Sequence, residues 1–205
     1  MKKLYLLITF VLTATTLLAQ HAHNHSADNT LHAKKIDSEH SVYHLDAGWT
    51  DHRDDLVRLE DFKGQPVIVV MFYGNCTDVC PILIQDTWRL YSSVDESVRE
   101  NVNVLAVSFD TENDTPEVLS EYAKYEQLNI PGWHFMTADD ADVRTLAMML
   151  GVQYSKKSDG HFAHSNLVTV LDEKGRIAHR VEGLNQPMDD AAATIESIIA
   201  KLNKR

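Results

Sequence analysis

The chain has 205 residues, with 30 acidic against 19 basic side chains and a formal net charge of −11 at pH 7. So acidic a surface repels nucleic acid and anionic lipid, which excludes a nucleic-acid-binding or membrane-surface role. Only two cysteines occur, Cys76 and Cys80, and the chain is long enough for one proper hydrophobic core, so the fold does not depend on a disulfide framework.

In chain order, the first nineteen residues, MKKLYLLITFVLTATTLLA, join a basic start at Lys2 and Lys3 to an apolar run from Leu4 to Leu18. This reads as a secretory signal peptide ending at Ala19, because the run is shorter than the roughly 20 residues a membrane-spanning helix needs. Loss of Lys2 and Lys3 with the signal would bring the charge to −13. The mature protein is then expected outside the cytoplasm, in the periplasm or on the outer face of the cytoplasmic membrane, where disulfides can form and persist. Residues 20–40 follow as a polar, histidine-rich flexible leader. Together with the start of the next segment, it holds His21, His23, His25, His32, His40, His44 and His52, seven of the eleven histidines. Imidazoles at this density also allow a metal-collecting tract.

Residues 41–205 alternate strand and helix signals. Pro66 to Tyr73 is a nearly continuous apolar, β-branched run, the pattern of a buried central strand. Pro81 opens a helix carrying Ile82, Leu83 and Leu90, and Val102 to Asp110 is a second buried strand. Thr115 and Pro116 start a helix with Val118, Tyr122 and Tyr125 at helical spacing, and Trp133 to Thr137 can form a further strand. Asp139 caps a helix whose Val143, Leu146, Ala147 and Leu150 share one face and which Gly151 ends. NLVTVLDEKGRIAHRVEG reads as two strands joined around Lys174 and Gly175. The last helix starts near Asp189 and places Ile195, Ile198, Ile199 and Leu202 on one face. A buried strand running into a cysteine pair and a helix, then a crossover and a closing hairpin with a terminal helix, is a thioredoxin-like α/β layout: a central mixed sheet flanked by helices.

The cysteine pair could be a structural staple, a redox couple or half of a metal site. A staple is disfavoured, since closing so short a loop removes little unfolded-chain entropy. A cysteine at the mouth of a helix meets backbone N–H groups and the positive end of the helix dipole, which favour the thiolate that attacks disulfides and binds metals. The spacing is C-x-x-x-C, with Thr77, Asp78 and Val79 between, which permits a disulfide and also lets both sulfurs converge on one ion. A third ligand is offered by His164, at the entrance to the strand Leu167 to Leu171, where thioredoxins carry a substrate-guiding cis-proline that this chain lacks. His161 is a possible competitor. Met148 and Met149 lie in an amphipathic helix and read as filling, and Trp49, Trp88 and Trp133 read as packing residues.

These segments resemble the Sco/SenC family, the copper-binding assembly factors of respiratory oxidases. The family's C-P-D-V-C-P is matched by Cys76, Thr77, Asp78, Val79, Cys80 and Pro81. Its acidic strand end and D-T-P helix start are matched by Asp110, Asp114, Thr115 and Pro116. Its metal-binding histidine and following D-x-x-G turn correspond to His164, Asp172 and Gly175, and the similarity runs from Ser41 to Val181. The chain departs from the pattern at Gly74, Asn75 and Thr77, in the loop that sets thiol pKa and partner contact. The resemblance implies Cys76, Cys80 and His164 as copper ligands, a soft low-coordinate set suited to Cu(I). Asp78 could tune thiolate charge or meet a partner, and Asp110 could orient a ligand.

Three functions are weighed. The leading one is a monomeric metallochaperone that delivers copper to a copper enzyme or its assembly factors, touching the membrane only through a recipient or an uncleaved signal. The second is a thiol:disulfide oxidoreductase in which Cys76 and Cys80 are the redox pair. A thiol peroxidase ranks last: Thr77 and Cys80 supply T-x-x-C, but Tyr73 stands where its proline belongs.

Overall fold

The computed structural model describes residues 31–35 and 39–204. The signal peptide reading and most of the histidine-rich leader lie outside the described residues. No helix among those described is long and apolar enough to cross a membrane.

The elements in chain order are β1 (Trp49–Asp51), β2 (Leu56–Val57), β3 (Val67–Phe72), α1 (Cys80–Ser93), α2 (Glu96–Arg99), β4 (Asn103–Ser108) and α3 (Pro116–Tyr125). They continue with β5 (Trp133–Thr137), α4 (Asp140–Leu150), β6 (Tyr154–Lys156), β7 (Phe162–His164), β8 (Leu167–Leu171), β9 (Ile177–Glu182) and α5 (Asp189–Leu202). Seven strands form one mixed sheet in the order β2-β1-β5-β4-β3-β8-β9, while β6 and β7 form a separate hairpin. The centre, β3, β4 and β5, is parallel; β8 is antiparallel to β3, and β9 to β8.

All six residues of β3 are buried, as its unbroken apolar run requires of a strand covered on both faces. One face carries Phe72, Trp133 and Phe135, whose rings meet Tyr122 of α3 and, through Trp133, Trp88 and Tyr91 of α1. α1 also packs against α5.

The helix expectations hold for α4, which buries Val143, Leu146, Ala147 and Leu150 and ends at Gly151 in the left-handed conformation. Asp139 occupies its N-cap position without a side-chain hydrogen bond. In α3, Thr115 caps through its side chain and Pro116 follows, but the buried face differs from expectation: Leu119 and Ala123 are buried, whereas Val118 and Tyr125 are exposed. The inward stripe is Leu119, Tyr122 and Ala123, at i, i+3 and i+4, and Tyr122 is the only member shared with the expected set. β1, β2 and the β6–β7 hairpin carry no legible strand signal. With two or three residues each, they are too short to show a period.

Leu31–Lys35, which the sequence reading places in the leader, lies against the domain. The Lys34 amide donates to the Gly151 carbonyl at 2.8 Å, and the Arg180 guanidinium to the Lys34 carbonyl at 2.9 Å.

Candidate metal centre

Three chain-distant segments converge at one end of the sheet. β3 delivers the Cys76 loop from its C-terminal end, and β4, parallel to it, delivers Phe109 to Asp114 from the same end. Because β8 runs antiparallel to β3, its N-terminal end also arrives here and brings His164, the last residue of β7. Cys80 is the first residue of α1, with Val79 as its N-cap and Pro81 in the first turn, a position where the missing proline N–H costs nothing.

Cys76, Cys80 and His164 are all buried, at 6%, 0% and 3% relative exposure, and both cysteines are free. Their Sγ, Sγ and Nε2 atoms lie within 4.8 Å of one another, and they are the one such metal-competent group among the described residues. Three donors each roughly 2.0–2.3 Å from a common ion would stand no more than about 4.6 Å apart, so the group fits an ion with little rearrangement. His164 Nε2 is 3.3 Å from Cys80 Sγ, and its Nδ1 is 3.1 Å from the Ser165 carbonyl oxygen. A carbonyl only accepts, so the hydrogen sits on Nδ1 and the Nε2 lone pair faces the sulfurs, the tautomer a metal ligand needs.

The two sulfurs are electrostatically unlike. The Cys80 thiol donating to it holds Cys76 far below the ordinary thiol pKa, against the opposing effect of burial, with further help from the backbone N–H groups of Asp78 and Cys80. The last of these is the 3.4 Å contact from the Cys80 amide to Cys76 Sγ at the mouth of α1. Burial pushes Cys80 the other way, reinforced by hydrogen bonding to Cys76 and by its charge.

Aromatic rings enclose the group. Phe109 lies 5.2 Å and Tyr73 6.3 Å from the His164 ring, centroid to centroid, and Phe162 packs on both. Such a lining keeps bulk water from the sulfurs. His161 is exposed and does not join the three ligands; its Nδ1 is 3.2 Å from the Tyr73 hydroxyl. Asp78 is exposed and meets Cys76 through its backbone. Asp110 does not orient a ligand directly: its carboxylate accepts two 2.9 Å bonds from Asn113 Nδ2.

The residue that anchors the cysteine loop is Asp114. Its buried carboxylate accepts from the Gly74 amide at 2.7 Å and from the Ser108 hydroxyl, tying the end of β4 to the turn before Cys76. Burial raises its pKa, and the charge of Asp110 adds to the effect. A Cβ at residue 74 would lie 2.9 Å from Asp114 Oδ1, so with Asp114 in this position the turn is fitted closely to glycine. Asp114 stands out in the sequence as part of the D-T-P motif, but this contact does not, because a buried acid needs the fold to show its partner. Met148 is exposed and Met149 packs against the core, as filling residues do.

A family model described as SCO1/SenC matches residues 38–200. The SCO1 protein homolog of Bacillus subtilis is 26% identical over 147 residues, covering 69% of this chain and 75% of the relative. Among solved structures, BsSco, described as a member of the Sco family of cytochrome c oxidase assembly proteins with a disulfide switch, superposes with a TM-score of 0.64 at 22% identity, covering 75% of this chain and 91% of its own. Copper-bound ScoI of Bradyrhizobium japonicum superposes with a TM-score of 0.59 at 24% identity, covering 74% and 96%. The fold is the thioredoxin-like one, and with a family model spanning most of its length the chain belongs to the SCO1/SenC family.

Proposed function

We propose that this protein binds one copper ion through Cys76 Sγ, Cys80 Sγ and His164 Nε2, and delivers it outside the cytoplasm to a copper enzyme of the respiratory oxidase type or to that enzyme's assembly factors. The observation that carries this reading is the convergence of those three donor atoms in a buried, aromatic-lined pocket. Two thiolates and an imidazole are soft enough to favour Cu(I), and three ligands leave a position through which a recipient's ligand can displace them one at a time. A copper-bound relative of the same fold supports the choice of metal. The proton that Cys80 keeps must leave as the ion binds, so uptake weakens as pH falls.

Anaerobic Cu(I) loading of the reduced protein against a competing chelator is the test. One tightly held copper per chain is expected, with a His164→Ala loss of about 100-fold or more in affinity, since losing only a hydrogen-bond partner of a metal ligand already costs about 10–100-fold; weak binding indifferent to His164 would reject the reading.

Thiol:disulfide exchange is a second reading, favoured by the depressed Cys76 thiol and by the closeness of the sulfurs. Cys76 would attack a target disulfide as thiolate, and Cys80 Sγ would then displace the target's sulfur, leaving a Cys76–Cys80 disulfide and a reduced target. His164→Ala separates the two readings, since it removes a metal ligand and leaves both thiols. The peroxidase reading is weaker still, because the cysteine that fits its motif is the buried, protonated Cys80.

A further inference from the structure

His164 is held on a hairpin, β6–β7, that is not part of the main sheet. A two-stranded ribbon alone is marginally stable, so the position of His164 depends on what secures the hairpin base. That base is a paired junction of Gln153 and Ser165. The Ser165 amide donates to the Gln153 carbonyl at 2.8 Å, the Gln153 amide to Ser165 Oγ at 2.7 Å, and Ser165 Oγ to the Gln153 carbonyl at 3.1 Å. The Ser165 carbonyl is the group that receives the His164 Nδ1 hydrogen bond.

The segment Leu31–Lys35 lies across this junction as a strap. The Gln153 side-chain amide donates to the His32 carbonyl, and the Lys34 amide to the Gly151 carbonyl. On its other side, the strap is tied to β9: the Ala33 amide donates to Glu182 Oε1 at 2.8 Å and Arg180 to the Lys34 carbonyl at 2.9 Å. Leu31 sits beside Ala147, Met148 and Val152, and Ala33 packs against the core. Hydrogen bonds joined by the covalent frames of Gln153 and Ser165 therefore lead from the strap to Nδ1 of the candidate ligand.

We propose that Leu31–Lys35 is a positioning strap for the metal centre and that Gln153 is the positioning residue that transmits it, fixing the orientation of His164 from a segment upstream of the sheet. The inference rests on His164 being a copper ligand for its functional consequence, but not for its structural content.

The test uses the full mature chain with Gln153→Ala, which deletes the strap's side-chain bond and keeps the backbone pairing to Ser165. A double variant, Ala33→Pro with Lys34→Pro, removes both strap amide donors. In the reduced, copper-free protein the His164 Nδ1 proton is followed by NMR, and Cu(I) affinity by chelator competition. Both variants are expected to speed exchange of the Nδ1 proton and weaken copper binding by about tenfold. Leu202→Ala on α5 should lower the melting temperature without moving either readout, separating positioning from general destabilisation. An unmoved His164 resonance in both strap variants overturns the proposal, whether or not affinity changes. If wild-type protein binds no copper, the proposed function fails while the NMR comparison still decides the strap.

Discussion

Cys76 and Cys80 are the same chemical group four residues apart, and their surroundings make them opposites. Cys76 receives hydrogen bonds and favours its thiolate; Cys80 gives one, is wholly buried and keeps its proton. The pair thus holds one charge and one proton near neutral pH, and the proton is shared property of the pair. The sign of linkage follows. Cys76 contributes stability that is full above the ordinary thiol pKa and lost as pH falls through its lowered value, whereas stability from Cys80 is lost as pH rises. Iodoacetamide near pH 6 should label Cys76 well before Cys80, as read by peptide mass spectrometry. Cys80→Ala deletes the principal donor and should raise the alkylation midpoint of Cys76 by about one unit or more; equal labelling of the two thiols would contradict this asymmetry. Asp114 has the reverse linkage of Cys76. Its pKa is raised by burial, so its charge costs stability at neutral pH and the cost fades as pH falls. Asp114→Asn should keep stability at pH 7 within about 1 kcal/mol and flatten its pH dependence. Asp114→Ala, which strands the Gly74 amide and Ser108 hydroxyl, should cost about 1–3 kcal/mol in urea unfolding.

At the scale of elements, the site depends on turns as much as on strands. The β8–β9 turn places Gly175 in the left-handed region at φ +74°, and a Cβ there would lie 2.7 Å from the Tyr43 ring. The Gly175 carbonyl accepts from the Val42 amide at 2.9 Å, so this turn seats the segment that leads into the sheet. Gly175→Ala meets both backbone strain and a rigid ring, and should cost about 2–3 kcal/mol, beyond the roughly 1 kcal/mol of left-handed strain alone. Equilibrium unfolding checks it, and a loss under about 1 kcal/mol would mean that the ring yields. The strands and helices that were readable from sequence share one property: each is long enough to display its period. β3 shows an unbroken apolar run and α4 shows i, i+3, i+4, i+7, and both were placed to within two residues. The hairpin that presents His164 has strands of three residues, and nothing in its sequence marks them.

For the whole molecule, the candidate metal centre would tie the end of β3, the start of α1 and the entry to β8 together, with Cys80 and His164 84 residues apart along the chain. An ion held there binds the folded state alone, since the unfolded chain does not bring the three donors together. Cu(I) at 100 times its dissociation constant should therefore add about 2.7 kcal/mol, a rise of roughly 5–10 °C in melting temperature for a domain of this size. The shift should vanish after oxidation of Cys76 and Cys80 to a disulfide, because the same sulfurs cannot be bonded to each other and serve as thiolate ligands. A copper-dependent rise that survives oxidation would place the ion elsewhere.

Sequence by itself determined the residue types and the local frame: the two thiols at a helix mouth, the histidine ahead of a buried strand, and the alternation that makes an α/β sheet. Those are properties of neighbours in the chain, and periodicity and capping express them directly. Tertiary structure alone decided which cysteine bears the charge, that Asp114 anchors the loop while Asp110 does not, which face of α3 is buried, and that Leu31–Lys35 lies against the hairpin base. Each of these depends on burial and on hydrogen bonds between groups far apart in sequence, and neither quantity exists until the chain has folded.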